Sequence, residues 1–399
     1  MGNIQYEADL SGAERAAHET AHRFAAEVMR PAGIKLDALA NPEDVIAKDS
    51  ILWDVYRKYR AVGLAQLEEG STGLTPAQQV RMRCIVGEQL GWGDSGLAIS
   101  FGVAGFPRMM AQMSGKPELI RRFGAEDLIG CWAGTEPDHG SDMIYYMNRP
   151  GEELPGRPNC IARKDGDSFV INGQKSAWVS NGTIAKAAAL FCAVDMADGR
   201  RGSGGFLVPL DVPGVSKGKP LNKIGQRALN QGEIFFDQVR IPADYMVIPP
   251  ETCPLASEAI LTMANTGMGT TFVGVAQAAL DLALDYAKQR VQGGVPIFQH
   301  QSVRLRLFEM FRMVQAARAL SRQVALYNAL NPPKLQLATA SKVTSTNTAF
   351  EVASSALQIF GGNGLSRAYP IEKLLRDARA SMIEDGCNDL LSLVAAESL

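Results

Sequence analysis

Apolar residues recur at helical spacing at both ends of this chain and at strand spacing in its middle. After Ser11-Gly12-Ala13-Glu14, side chains at Ala17, Ala21, Phe24, Ala25 and Val28 form a helical stripe. Ser-x-x-Glu reads as a capping box, in which the Ser oxygen takes an orphan amide and the Glu reaches back. Pro31-Ala32-Gly33 is expected to end that helix, and residues 1–130 read as a helical domain.

From 131 to 243 the pattern is that of strands. Phe169-Val170-Ile171, then Asn172-Gly173, then Ala177-Trp178-Val179 predicts a hairpin with Asn-Gly at its turn, because both turn positions favour positive φ. Further strands are expected over Ala187–Val194, Gly205–Leu210 and Glu233–Ile241, and residues 148–158 read as a polar surface loop. From 244 to 399 helical spacing returns. Phe272, Val275, Ala279, Leu282 and Tyr286 form one seam, and Val303, Leu307, Met310, Val314 and Ala317 another. Gly361-Gly362 stops a helix that runs to Phe360. Helices, then strands, then helices make an α+β chain, not a doubly wound sheet. GxGxxG and Walker A motifs are absent.

Composition narrows the classes. A chain of 399 residues suggests two or three packed units. A net charge of −2 without a basic block argues against a nucleic-acid partner. No uninterrupted apolar run reaches the roughly 18 residues of a membrane span. The first residues lack a signal peptide's basic and apolar regions. Six cysteines without CxxC spacing read as reduced thiols of a cytoplasmic protein, and four histidines give a metal centre little support.

Candidate chemistry concentrates in a few polar stretches. The run from Trp132 to Asp142, WAGTEPDHGSD, is dense in groups that can hold an anionic cofactor; read alone, it is a polar connection between domains. Downstream lie Ile171-Asn172-Gly173-Gln174-Lys175, Trp178-Val179-Ser180-Asn181-Gly182 and Lys223-Ile224-Gly225-Gln226-Arg227. Then come Tyr286-Ala287-Lys288-Gln289-Arg290, Phe298-Gln299-His300-Gln301, Gln358-Ile359-Phe360-Gly361-Gly362 and Ile383-Glu384-Asp385-Gly386. In this order and spacing, over about residues 10–395, they resemble the FAD-dependent acyl-CoA dehydrogenase family.

The resemblance implies an N-terminal helical domain, a middle β-barrel or sandwich and a C-terminal four-helix bundle, assembled as a homotetramer. It implies FAD contacts from Trp132, Gly134 and Thr135, with Ser141 touching the CoA part of the substrate. Trp178 is placed at the isoalloxazine edge, beside Val179 and Ser180. Arg290, Gln292 and Gln301 are implied to hold pyrophosphate, with Gln358, Gly361 and Gly362 near the adenine half of a neighbouring subunit's cofactor. Cys387 and Asp389 complete the cofactor side. The implied substrate is an acyl-CoA thioester, and the implied electron acceptor an electron-transfer flavoprotein.

The chain departs from the family at its base. A glutamate usually precedes the last glycine; here it is Asp385, one methylene shorter, with Glu384 in the place of a usual aromatic. Asp385 is the expected base, and its backbone amide the expected enolate donor. Read by itself, Asp385 is also an ordinary turn aspartate, and Glu384 is a competing carboxylate. The shorter acid points to an atypical, cyclic or branched acyl group. A flavin-dependent lyase or desulfinase, a nitroalkane-oxidase-like oxidase and a catalytically silent flavoprotein scaffold are the alternatives. His139 stands where the family has a small residue; it reads as a solvated side chain or a phosphate contact. Asp94 reads as an N-cap or a second acid. The acyl pocket is expected between the helix around Gly91–Gly96, with Trp92, and the one around Met263–Met268.

Overall fold

The Ser11 capping box forms as expected: Ser11 N donates to Glu14 Oε2 at 2.7 Å and Glu14 N to Ser11 Oγ at 3.3 Å. It opens α1 (Gly12–Phe24) in a computed structural model that describes residues 10–64, 73–144, 157–199 and 201–399. The first residues of the chain, and most of the loop expected over 148–158, lie outside the described residues. Pro31 does not end the helical path. A π turn, Ala25–Met29, widens the helix and leads into α2 (Arg30–Ala38), whose first turn holds Pro31. The ladder slips there to an i→i−5 bond, Arg30 N to Ala25 O, which is where the path absorbs the amide that Pro31 lacks. The chain continues through α3 (Ile51–Val62), α4 (Pro76–Gly93), α5 (Ser95–Ala104), α6 (Phe106–Ser114) and α7 (Pro117–Phe123).

One eight-stranded sheet follows: β1 (Gly130–Ala133), β2 (Ile161–Asp165), β3 (Ser168–Lys175), β4 (Ala187–Asp195), β5 (Arg201–Pro209), β6 (Val215–Lys217), β7 (Ile234–Pro242) and β8 (Met246–Ile248). Its order is β6-β7-β3-β2-β4-β5-β8. The parallel partners of β4 share one of its edges, β1 along Ala187–Leu190 and β2 along Ala193–Asp195. The chain therefore leaves the sheet at Gly134 and re-enters near Cys160, through a split between β1 and β2. That split positions the WAGTEPDHGSD loop. β4 is buried along eight residues because both its faces are covered. Leu190, Cys192 and Val194 pack into the sheet's own core, whereas Ala189 and Phe191 meet Met110, Leu119 and Phe123 of α6 and α7.

The expected Asn172-Gly173 hairpin is corrected. β3 runs straight through both residues, with a bulge between Ile171 and Gly173 against β7. The Asn172 side chain, free to turn the backbone in a hairpin, instead bonds across the strands: its Oδ1 accepts from Gln238 N and Nε2, both at 2.9 Å. The β2–β3 hairpin turns at Gly166-Asp167, and Ala177-Trp178 forms a turn, not a strand.

The C-terminal helices are α8 (Cys253–Gln289), α9 (Gln301–Leu330), α10 (Leu335–Phe360), α11 (Ile371–Ser381) and α12 (Asn388–Ala396), with a small hairpin, β9 (Val291–Gln292) and β10 (Val295–Pro296), after α8. Helix α8 is long and apolar enough to cross a membrane by length and composition, but 72% of that window is buried within the protein. α8 and α10 run parallel: Gly269 abuts Ser341, and Tyr286 stacks on Phe360 at 4.1 Å. α4 crosses α8 at backbone contact. A Cβ on Gly91 would lie 2.0 Å from Thr271 O, and one on Gly274 2.0 Å from Glu88 O.

Candidate active site

The WAGTEPDHGSD loop is pinned by a buried ion pair. Lys175, at the end of β3, donates to Gly134 O at 2.8 Å and to Glu136 Oε1 at 2.7 Å, and both side chains are 0% exposed. Glu136 also accepts from Asn159 N at 2.6 Å and Cys160 N at 3.2 Å, which ties the loop to the start of β2. Ser176 N donates to Thr135 O at 2.9 Å, and the Thr135 and Ser176 hydroxyls lie 2.8 Å apart. Gly134 approaches so closely that a Cβ would sit 3.1 Å from the Trp132 indole nitrogen. His139 is not a solvated side chain: it is buried, with Nδ1 2.7 Å from Asp142 Oδ2.

Beside this loop stands the 176–182 turn. Trp178 is 60% exposed, an indole face turned out of the sheet domain, whereas strand tryptophans are usually core. Gln231 Nε2 bridges Trp178 O (3.1 Å) and Ser180 Oγ (3.2 Å), and Lys223 Nζ donates to Gln231 Oε1 at 2.7 Å. Val179 is different. Its side chain is buried in the sheet core, its amide donates to Ser176 O, and its carbonyl accepts from Gly182 N. Trp132 packs its ring against Phe106 and Phe191. An aromatic face edged by Thr135 and Ser180 hydroxyls and by loop backbone fits a flat conjugated group with polar edges.

The third wall is the turn between α11 and α12. Asp385 takes φ +53° and Gly386 φ +91°. Gly386 has no alternative: a Cβ there would meet Ile144 at 2.8 Å and Leu391 at 2.9 Å. The amides of Ile383 and Glu384 both donate to Ala380 O, and Asn388 N donates to Met382 O. Among the described residues the Asp385 amide makes no hydrogen bond, so a donor stands free at the apex. Cys387 N donates to Ser141 Oγ at 3.4 Å, which joins this turn to the WAGTEPDHGSD loop. Asp389 is exposed in the first turn of α12.

Beneath the turn lies a residue that sequence reasoning missed. Lys342 of α10, fully buried, donates to Gly386 O at 2.9 Å and to Asn388 Oδ1 at 2.8 Å. Its only signal was a lysine on a helix face otherwise made of small residues. Burial lowers its pKa to about 8, against the opposing charges of Asp385 and Glu384. Burial also holds the Asp385 carboxyl above its ordinary range, opposed by Lys342. Asp385 itself is exposed at the turn's surface, so solvent screens part of that upward shift. Replacing Lys342 by Met should leave two acceptors unpaired, at about 1–3 kcal/mol each, and release the turn. Thermal melting checks this, and an unchanged midpoint would count against it.

Asp94 is the N-cap of α5, accepting from Leu97 N at 2.8 Å, and ion-pairs with buried Lys373 at 2.6 Å. It is not a second acid in the cleft. Trp92 does not line a pocket either: Arg30 covers its ring at 3.4 Å, and its Nε1 donates to Asp281 at 2.8 Å. The backbone contact between α4 and α8 closes the gap expected at Gly91.

The remaining expected residues gather elsewhere. Arg290, Gln292 and Gln301 lie around the end of α8, and Gln358, Gly361 and Gly362 at the end of α10; all six are exposed. The Tyr286–Phe360 stack holds these ends together. Phe360 lies about 27 Å along α10 from Lys342 at 1.5 Å per residue. The chain thus presents two separate clusters.

Comparison with known proteins gives the following. Residues 131–239 match the acyl-CoA dehydrogenase middle domain, and residues 254–399 the acyl-CoA dehydrogenase C-terminal domain. The chain is 33% identical over 284 residues to the short-chain specific acyl-CoA dehydrogenase of Homo sapiens mitochondria, covering 71% of this chain and 66% of that protein's length. It is 30% identical to cyclohex-1-ene-1-carbonyl-CoA dehydrogenase of Geobacter metallireducens, covering 71% of this chain and 73% of the relative. It is 27% identical to the cyclohexane-1-carbonyl-CoA dehydrogenase of the same organism, covering 96% and 97%. The solved structure of butyryl-CoA dehydrogenase from Megasphaera elsdenii superposes with a TM-score of 0.83 over 98% of both chains at 24% identity, a likeness of fold.

Proposed function

Because the chain belongs to the acyl-CoA dehydrogenase family, we propose that it is an FAD-dependent enzyme that dehydrogenates an acyl-CoA thioester at its α and β carbons. The observation that carries this reading is the Asp385 turn, which presents a carboxylate and a free amide together. Asp385 removes the α-proton. Its N–H donates to the developing enolate oxygen, the place where charge appears and where a fixed donor is most effective. Trp178, Thr135 and Ser180 would hold FAD, which when bound would supply the acceptor for the β-hydride. Ser141, bonded to Cys387 N, couples the loop that meets CoA to the turn that carries the base.

The acyl group is cyclic or branched. Asp385 reaches one methylene less far than glutamate, so the reacting carbon must come closer to its turn. Two relatives named for cyclic acyl-CoA substrates support the same choice. The two clusters belong to different cofactors, so a second copy of the chain completes each site. Exposed Leu305 and Phe308 on α9, 64% and 58% accessible, give that copy an apolar surface within a homotetramer. Electrons leave through an electron-transfer flavoprotein.

The test is anaerobic. Holoenzyme mixed with cyclohexane-1-carbonyl-CoA should lose its visible flavin absorbance, and faster than with the straight-chain butyryl-CoA. A colourless protein that FAD cannot reconstitute would sink the proposal. Turnover without bleaching would replace dehydrogenation by elimination on the same fold.

A further inference from the structure

Glu384 is the residue at this site that the mechanism above does not use. Its Oε1 accepts from Gln226 Nε2 at 2.6 Å. Gln226 is itself fixed: it takes φ +49°, and its amide donates to the buried carboxylate of Asp377. Asp377 is held by Lys373, which also binds Asp94. Glu384 is therefore clamped by Gln226 of the 222–231 loop. The charges that face it are Asp385 from its own turn, Lys342 from α10 and Lys223 from the loop. Asp377, Lys373 and Asp94 lie behind Gln226.

We propose that Glu384 is a positioning residue that sets the proton affinity of Asp385 through its own charge. The inference rests on Asp385 being the base. Two carboxyls on consecutive residues of one turn, Glu384 half-buried and Asp385 beside it, cannot ionise independently. When Glu384 is neutral, Asp385 holds a proton weakly. When Glu384 ionises, its negative charge next to Asp385 makes Asp385 the stronger base, and a weak carbon acid is deprotonated faster. Burial, with the Asp385 charge added, pushes the Glu384 pKa up to about 7, against Gln226, Lys342 and Lys223. Its charge therefore changes within the neutral range, and substrate-driven flavin reduction speeds up as pH rises through about 7.

Glu384→Gln keeps the size of the side chain and an oxygen for Gln226, and removes the charge. Holoenzyme carrying it should lose the rise near neutral pH and reduce flavin several-fold more slowly on the alkaline side, up to about tenfold for each pKa unit lost by Asp385. Glu384→Asp should restore the rise. A second readout needs no turnover: infrared titration of substrate-free wild type should show a protonated carboxyl disappearing across about pH 7, and Glu384→Gln should lack that band. An unchanged pH profile in Glu384→Gln, or an unchanged infrared titration, overturns the inference. Full flavin reduction by Asp385→Asn would instead overturn the underlying reading of the base, so the two failures are distinct.

Discussion

Asp385→Asn should abolish substrate-driven flavin reduction, by about 10²–10⁴-fold, the usual contribution of a positioned general base, while FAD remains bound. The substitution separates side chain from backbone. Asparagine has the same shape as aspartate and is among the few residues that tolerate a φ of +53°. The turn, its contacts to Lys342 and Ser141, and the free Asp385 amide should therefore persist. What disappears is the Asp385 carboxylate, the group proposed to take the α-proton. Stopped-flow reduction by cyclohexane-1-carbonyl-CoA, beside the flavin content of the purified protein, makes the measurement. Near-normal reduction with FAD bound would refute the assignment.

Glu136→Ala should produce the largest loss of stability, about 3–5 kcal/mol, because it strands the buried Lys175 charge. Both side chains are fully buried, and Glu136 also satisfies two backbone amides at the start of β2. Lys175 would keep only Gly134 O. The split between β1 and β2 would then lose its clamp, and Thr135 with it. The double variant Lys175→Met/Glu136→Leu should recover much of the loss, since replacing a whole buried pair by apolar groups is far cheaper than breaking it. Urea midpoints of both variants decide the point; equal losses would show that the pair acts through the amide contacts alone.

Several readings failed where a local rule met a tertiary partner. Asn172-Gly173 has turn chemistry, yet Gln238 on the neighbouring strand captures the asparagine oxygen and the backbone bulges. Pro31 should stop a helix, yet a π turn lets the path continue through α2 to Ala38. His139 reads as solvent-facing, yet the loop folds it under Asp142. Trp92 and Gly91 read as pocket wall, yet close packing of α4 on α8 leaves them as core.

What the sequence alone determined was the order of helical, sheet and helical regions, the capped start of α1 and the glycine stop after Phe360. These depend on residues within a few positions of one another, where periodicity, capping and turn preference act directly. Tertiary structure alone decided which polar residues meet. Lys342 lies 44 positions from Gly386, Gln226 158 from Glu384, and Ser141 246 from Cys387. Burial gives these pairs their force: the same lysine and carboxylates on a solvated surface would keep ordinary proton affinities. Only packing removes the water, and only packing brings Lys342, Gln226 and Ser141 to the turn that carries two neighbouring acids.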